Sequence, residues 1–156
     1  MLVQSNTIKR FLRRFIVIEQ VEPMLQRADS MPDREVHRLW KGVAAVLSEA
    51  GYHEALEVPM PQHLQVRTKV RAEDLKRLVQ CFGASYEKGS TEEHGKVIHV
   101  DKLRGLLLPI GETSWILIAR VEPHVEDAVC HEIAHFFEAS LKMPPGTFAH
   151  MFDRRP

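Results

Sequence analysis

Cysteine is scarce in this chain, and its scarcity limits what can hold the fold together. Only Cys81 and Cys130 occur among the 156 residues, which is too few for a disulfide framework. Both lie in segments with a helical, partly apolar pattern, so we expect buried free thiols. Free thiols are typical of a reducing compartment, and the sequence therefore predicts a cytoplasmic protein stabilised by its apolar core.

Long apolar runs and an excess of charge of one sign are also missing. No stretch approaches the ~20 apolar residues that a transmembrane helix needs, and the apolar run at residues 15–18 is too short for a signal peptide. Lysine plus arginine and aspartate plus glutamate each number 21, which gives a formal net charge of zero. We therefore expect no membrane span and no broad nucleic-acid surface beyond a local basic helix at residues 9–14.

Length and proline placement predict the organisation of the chain. With 156 residues, of which 44% are hydrophobic, residues 1–156 are expected to form a single domain with a sizeable core. The helical spacing of apolar residues predicts a helical hairpin within an N-terminal part, residues 1–57. Pro59 and Pro61 then end the helical region, and residues 63–156 form a second part, for which the motifs below predict metal binding.

The second part combines strands with one long helix. Residues 63–70 alternate between apolar and polar side chains, and residues 115–121 are rich in aromatic and β-branched types, so both are predicted strands. Residues 84–101 between them suggest a polar hairpin, and a long helix is predicted over about residues 124–142. The fold class that follows is α+β, with a small, mostly antiparallel sheet packed on the long helix. If strand 115–121 lies at a sheet edge, an extended peptide could pair with it.

The strongest functional signal is the pentapeptide His131-Glu132-Ile133-Ala134-His135 within that helix. Two histidines four residues apart lie one turn apart on the same helix face, where both imidazoles can bind one metal ion. The glutamate after the first histidine can take a proton from a water beside that ion, as in zinc peptidases. On a helical wheel the histidines lie opposite the apolar residues, which favours ligation over a place in the core. The sequence predicts His131 and His135 as zinc ligands and Glu132 as the general base.

A catalytic zinc site needs a third protein ligand, and the sequence offers several candidates. Glu138 lies on the same helix face, one turn after His135, but ligands at i, i+4 and i+7 fit a tetrahedral site poorly. After the Pro-Pro-Gly turn, residues 147–153 can run back along the helix and bring Asp153 near the level of His135. Asp153 and Glu138 are therefore the predicted candidates for the third ligand, with His150 as a further alternative.

A family resemblance rests on the order of elements over about residues 71–145. A helix ending at Phe82-Gly83, a hairpin returning through residues 96–100, a strand at residues 115–118 and the His-Glu-x-x-His helix follow one another, before a Leu-Met-Pro-like end. This order resembles the ImmA/IrrE family of zincin-like metallopeptidases. The resemblance implies a zincin-like fold, an intracellular location, one zinc ion, and cleavage or regulation of repressor proteins. That family carries its third ligand, a glutamate, on a later helix, and here no glutamate follows Glu138.

Two classes of function are consistent with these features. The first is a zinc-dependent metallohydrolase, most simply a peptidase acting on a protein or peptide substrate. The alternative is a non-enzymatic interaction or regulatory protein of a phage, plasmid or host, with a structural or degenerate metal site. The basic first helix and the missing later glutamate favour this alternative. A non-haem iron site is a third interpretation, because two histidines and one carboxylate also suit iron.

Overall fold

Helices and strands are interspersed along the described part of the chain. The computed structural model describes residues 21–81, 104–110 and 112–153, so the predicted basic helix at 9–14 and the polar hairpin at 84–101 lie outside it. A helical stretch at residues 21–27 comes first. There follow strand β1 (Asp29–Ser30), helix α1 (Asp33–Glu49), a 3₁₀-helix (His53–Glu57), β2 (Leu64–Val70), α2 (Ala72–Cys81), β3 (Gly105–Ile110), β4 (Thr113–Ala119), α3 (Val125–Ser140) and a second 3₁₀-helix (Ala149–Phe152). Among these residues no helix combines the length and apolar character needed to cross a bilayer.

The four described strands form one sheet in the order β1-β2-β4-β3. The outer pairs, β1 with β2 and β3 with β4, are antiparallel. The central pair, β2 with β4, is parallel, so the sheet is mixed. The predicted α+β class with a small sheet is confirmed. The parallel pair was not predicted, because the local pattern of apolar residues does not indicate strand direction. A parallel pair requires a long crossover connection, which joins strands that are far apart in the sequence.

Strand β4 lies inside the sheet, with β2 on one side and β3 on the other. The condition under which an extended peptide could pair with residues 115–121, a place at a sheet edge, is therefore not met. Their β-branched and aromatic composition is typical of strands in general and does not distinguish an edge from a centre. The edges of the described sheet are β1 and β3 instead, and Pro109 within β3 fits that place, because an edge strand tolerates a residue without an N–H group.

Each face of the sheet carries its own apolar cluster, because side chains along β4 alternate between the faces. Ile116 and Ile118 join the side of α1 and α3. Leu117 and Ala119 join the side of α2 and residues 21–27. Residues 21–27 and α1 thus pack on opposite faces of the sheet, and they do not form the helical hairpin predicted for the N-terminal part.

Aromatic packing fixes the rotation of α3 about its axis. The Trp40 ring of α1 lies with its centroid 4.5 Å from that of Phe137 and 5.9 Å from that of Phe136. An ion pair between Arg38 and Glu126, at 2.5 Å, joins the same two helices at their surface. Because the apolar face of α3 is committed to α1 and the sheet, its opposite, polar face is left for the histidines.

The C-terminal segment returns along α3 after a turn at Gly146, whose φ of +90° lies in the left-handed region that glycine adopts without strain. Phe148 anchors the segment: its ring is fully buried and meets Tyr52 edge-on, with centroids 4.7 Å apart. The return predicted for residues 147–153 is present, and it continues to Asp153.

Replacing the anchor should loosen the whole segment. We expect Phe148→Ala to lower the free energy of unfolding by about 3–5 kcal/mol, because a fully buried aromatic ring leaves a cavity behind. Chemical denaturation followed by circular dichroism measures the loss. Met151→Ala is the matched control, since Met151 lies in the same segment and is 45% exposed. Similar losses in the two variants would contradict the anchoring role.

Candidate metal centre

Helix α3 sets His131 and His135 at the spacing that one metal ion requires. Their ring centroids are 5.1 Å apart. Zinc–nitrogen distances of about 2.0–2.1 Å and a tetrahedral angle place two ligating imidazole centroids roughly 5 Å apart. One potential donor atom from each of His131, Glu132 and His135 lies within 4.8 Å of the other two, so this group could hold a metal ion. The types of donor atom present and their grouping on one face of the helix fit a metal ion.

Asp153 orients the first imidazole. Its Oδ1 lies 2.6 Å from Nδ1 of His131, and its Oδ2 lies 3.2 Å from Nδ1 of His150. Because an ionised carboxylate can only accept hydrogen bonds, Nδ1 of His131 must donate, and the lone pair of the neutral ring is then on Nε2. Partial burial acts to raise the pKa of Asp153, but the two imidazoles outweigh it and hold that pKa below its usual range. The contact lies one turn nearer the N-terminus of α3 than the level of His135 that was expected for Asp153.

Glu138 orients the second imidazole and at the same time holds the C-terminal segment. Its Oε1 accepts from Nδ1 of His135 at 2.7 Å and from the Gly146 N–H at 2.9 Å. Its Oε2 accepts from the N–H groups of Phe148 and Ala149, at 2.7 and 2.9 Å. Burial acts to raise the pKa of Glu138, but these donors outweigh it and keep that pKa lowered. Both oxygens are therefore engaged, one of them with the imidazole.

Glu132 is buried by the close approach of β3. It is 8% exposed, and a Cβ atom added at Gly105 would lie 3.2 Å from its Oε1. Burial raises the pKa of Glu132, and the neighbouring His135 and His131 oppose the shift only in part. A carboxyl group in this position holds a proton more readily than an exposed glutamate does. The glycine at position 105 is what leaves room for it.

A cavity of about 400 Å³ opens beside His131. Its lining comes from four places: the start of β3, the turn before α3, the first half of α3, and the end of the described C-terminal segment. The residues are Arg104, Gly105, Glu122, His124, Asp127, Ala128, His131, Glu132, Phe152 and Asp153. Sequence reasoning did not single out Arg104, Gly105, Glu122 or Asp127, because no local motif marks residues that only the folded chain brings together. His124 immediately precedes α3 without a side-chain capping bond, and it lines the cavity.

A third protein ligand would have to complete this centre beside the two histidines. In the described residues the metal-capable group consists of His131, Glu132 and His135. Asp153 and Glu138 contact the Nδ1 atoms of the histidines, and such contacts are typical of residues that orient metal ligands. The assignment of either carboxylate as the third ligand stays a prediction.

Comparison with known proteins leaves the site to be interpreted from its geometry. No protein-family model, no curated protein and no solved structure matches this chain. The resemblance to the ImmA/IrrE family therefore stays a prediction as well.

Loss of one acceptor oxygen at position 138 should destabilise the protein. Glu138→Gln keeps the shape of the side chain but turns an amide NH₂ toward groups that donate, so at least one buried N–H or imidazole loses its acceptor. We expect a loss of about 2–3 kcal/mol in the free energy of unfolding, measured by urea denaturation. The control, Glu126→Gln, alters a surface ion pair on the same helix, and its denaturation midpoint should stay at the wild-type value. An unchanged midpoint for Glu138→Gln would show that its hydrogen bonds do not stabilise the fold.

Proposed function

We propose that the protein is a zinc-dependent metallohydrolase, a peptidase acting on a protein or peptide substrate. His131 and His135 are the proposed zinc ligands, and Glu132 is the proposed general base. One observation carries the proposal: the two imidazoles are 5.1 Å apart and each has its Nδ1 held by a carboxylate. Unrelated surface histidines have no need of such support, whereas metal-ligating histidines are commonly oriented in this way.

The chemistry of the site follows from its residues. A bound zinc ion would lower the pKa of a coordinated water and polarise the scissile carbonyl. Glu132 accepts the proton of the attacking water and returns it to the leaving amine. Its burial supports this role, because a raised pKa brings a carboxyl group closer to the pH at which a shuttle both takes and gives a proton.

The edge strand β3 provides a route for a peptide substrate. An extended peptide can add to a free sheet edge through main-chain hydrogen bonds. In the described sheet β3 forms one such edge, and its first residue, Gly105, adjoins Glu132. A peptide paired with β3 would therefore pass beside the general base.

A non-enzymatic function is the second candidate, and one observation favours it. The carboxylates predicted as third ligands are both engaged with imidazoles, while a catalytic zinc site has three protein ligands. In this alternative a metal ion would stabilise α3 and the C-terminal segment of an interaction or regulatory protein. Non-haem iron remains the third interpretation, with Glu132 as the carboxylate ligand.

Metal content is the first test of the proposal. Protein purified without added metal should carry near-stoichiometric zinc by inductively coupled plasma mass spectrometry. His131→Ala and His135→Ala should each lose it, because one imidazole cannot retain the ion. The control, His37→Ala, removes an exposed histidine of α1 and should retain it. Iron in place of zinc would support the third interpretation, and no metal in the wild type would contradict the proposed site.

A further variant, Asp153→Asn, addresses the third ligand when its zinc affinity is measured by competition with a zinc chelator. If Asp153 only orients His131, Asp153→Asn should weaken zinc affinity by about 10–100-fold. A loss as large as that of His131→Ala would instead make Asp153 a ligand.

Removal of the general base should separate enzyme from non-enzyme. We expect Glu132→Gln to keep zinc and the melting temperature but to lose turnover by about 10²–10⁴-fold, because the attacking water no longer has a proton acceptor. The assay is mass-spectrometric detection of cleavage in a proteome-derived peptide library. Glu126→Gln, on the same helix but away from the cavity lining, should cleave like the wild type. Equal cleavage by Glu132→Gln would refute the general base, and no cleavage by zinc-loaded wild type would favour the non-enzymatic function.

A further inference from the structure

The cavity beside His131 contains one side chain of permanent positive charge, Arg104, among its described lining residues. The lining also includes four carboxylates, those of Glu122, Asp127, Glu132 and Asp153. Negative charge that develops on a substrate in this cavity would be repelled by carboxylates and attracted by the guanidinium. Apart from a bound metal ion, Arg104 is therefore the group that decides whether the cavity tolerates an anion.

The backbone of Arg104 is fixed close to the general base. Its carbonyl oxygen accepts a hydrogen bond from the Ala119 N–H at 2.9 Å, which ties it to the end of β4. The next residue, Gly105, is the one whose added Cβ would lie 3.2 Å from Oε1 of Glu132. The main chain at residues 104–105 thus passes close to the Glu132 carboxyl group. The Arg104 side chain extends from this main chain and lines the same cavity as Glu132.

Glu122 orients the side chain of Arg104 but does not use all of its hydrogen-bond donors. Its Nε lies 3.8 Å from Oε2 of Glu122, which is longer than a hydrogen bond. Glu122 is itself fixed, since its side chain is 5% exposed and its Oε1 accepts from the His124 N–H at 3.0 Å. The Arg104 side chain is 76% exposed, and Glu122 is its ion-pair partner in the described structure. Among the described residues its terminal N–H groups have no other ion-pair partner, which leaves them for an acceptor in the cavity.

We propose, on the basis of the metallohydrolase function above, that Arg104 stabilises the negative charge on the scissile carbonyl oxygen and that Glu122 is its positioning residue. When water adds, its oxygen forms a bond to the carbonyl carbon, its proton passes to Glu132, and the carbonyl π electrons move onto the carbonyl oxygen. The guanidinium N–H groups donate to that oxygen. When the adduct collapses, the electrons re-form the carbonyl, the C–N bond breaks, and the amine nitrogen takes the proton from Glu132. Preformed donors of this kind act most strongly where charge develops in the transition state.

Binding of two small probes tests the proposal without a known substrate. Methylphosphonate carries tetrahedral anionic oxygens like those of the adduct, whereas acetohydroxamate chelates a metal without them. In isothermal titration calorimetry with zinc-loaded protein, Arg104→Met should weaken methylphosphonate binding by about 10–100-fold, the effect of losing a charge-assisted hydrogen bond. Acetohydroxamate affinity should stay within about twofold of the wild-type value, since such a change is below the effect of one hydrogen bond. Arg71→Met is the control, because Arg71 pairs with Glu73 and does not line the cavity.

Kinetics on a peptide cleaved from the library test the same residue in turnover. Arg104→Met should lower kcat by about 10²–10³-fold and leave KM nearly unchanged, because the oxyanion exists in the transition state and not in the bound substrate. Glu122→Gln should lower kcat less. Its effect should vanish in the Arg104→Met background, since a positioning residue has nothing left to position.

Each contrary result is specific. Unchanged methylphosphonate affinity in Arg104→Met would overturn the proposal, as would an equal loss for both probes or a kinetic loss confined to KM. A wild-type protein that binds no zinc, or a zinc-loaded wild type that cleaves no peptide, would overturn the metallohydrolase function itself. Those two results are obtained before any Arg104 variant is compared, so the two failures are distinguishable.

Discussion

The carboxylate of Glu138 joins the two parts from which the candidate metal centre is built. It lies on α3, one turn beyond His135, and accepts hydrogen bonds from that imidazole and from three backbone N–H groups of the returning segment. Without an acceptor at this place, buried N–H groups of the turn would be left unpaired, which costs more than the hydrogen bonds contribute when made. The path of the chain after Gly146, and with it the place of Asp153 beside His131, depends on this side chain together with the buried ring of Phe148.

Glutamates six residues apart on α3 are tuned in opposite directions by their surroundings. Both are buried, with Glu132 at 8% and Glu138 at 2% exposure. Glu138 is surrounded by donors, so its pKa is lowered, whereas Glu132 faces β3 and its pKa is raised by burial. The surroundings of Glu138 thereby favour its ionised form, and those of Glu132 favour its protonated form. Identical residue types thus differ in proton affinity because one helix presents them to different neighbours.

Those features of the candidate site that depend only on residues near one another in the sequence could be predicted. The spacing of His131 and His135 follows from the pitch of a helix, and the helix itself follows from periodicity and from the Pro-Pro-Gly stop. The return of the tail could also be anticipated, because few residues separate it from the helix. Which carboxylate meets which imidazole could not be read in this way, since a level along a helix does not specify the direction of a side chain. The cavity residues Arg104 and Glu122 gave no sequence signal, because they approach one another only through pairing of β3 with β4.

By itself the sequence determined the helix, the shared face of its two histidines, the acidic neighbour between them, and the alternating strand at residues 64–70. Periods of 3.6 and 2 residues are properties of a chain segment and need no partner. Tertiary structure decided that β4 is central and β3 is an edge, that β2 and β4 run parallel, and that residues 21–27 and α1 lie on opposite faces of the sheet. It also decided that Asp153 and Glu138 meet imidazole Nδ1 atoms. These features depend on contacts between segments far apart in the chain, whose relative placement is set by competition for the same buried surface and not by any local pattern.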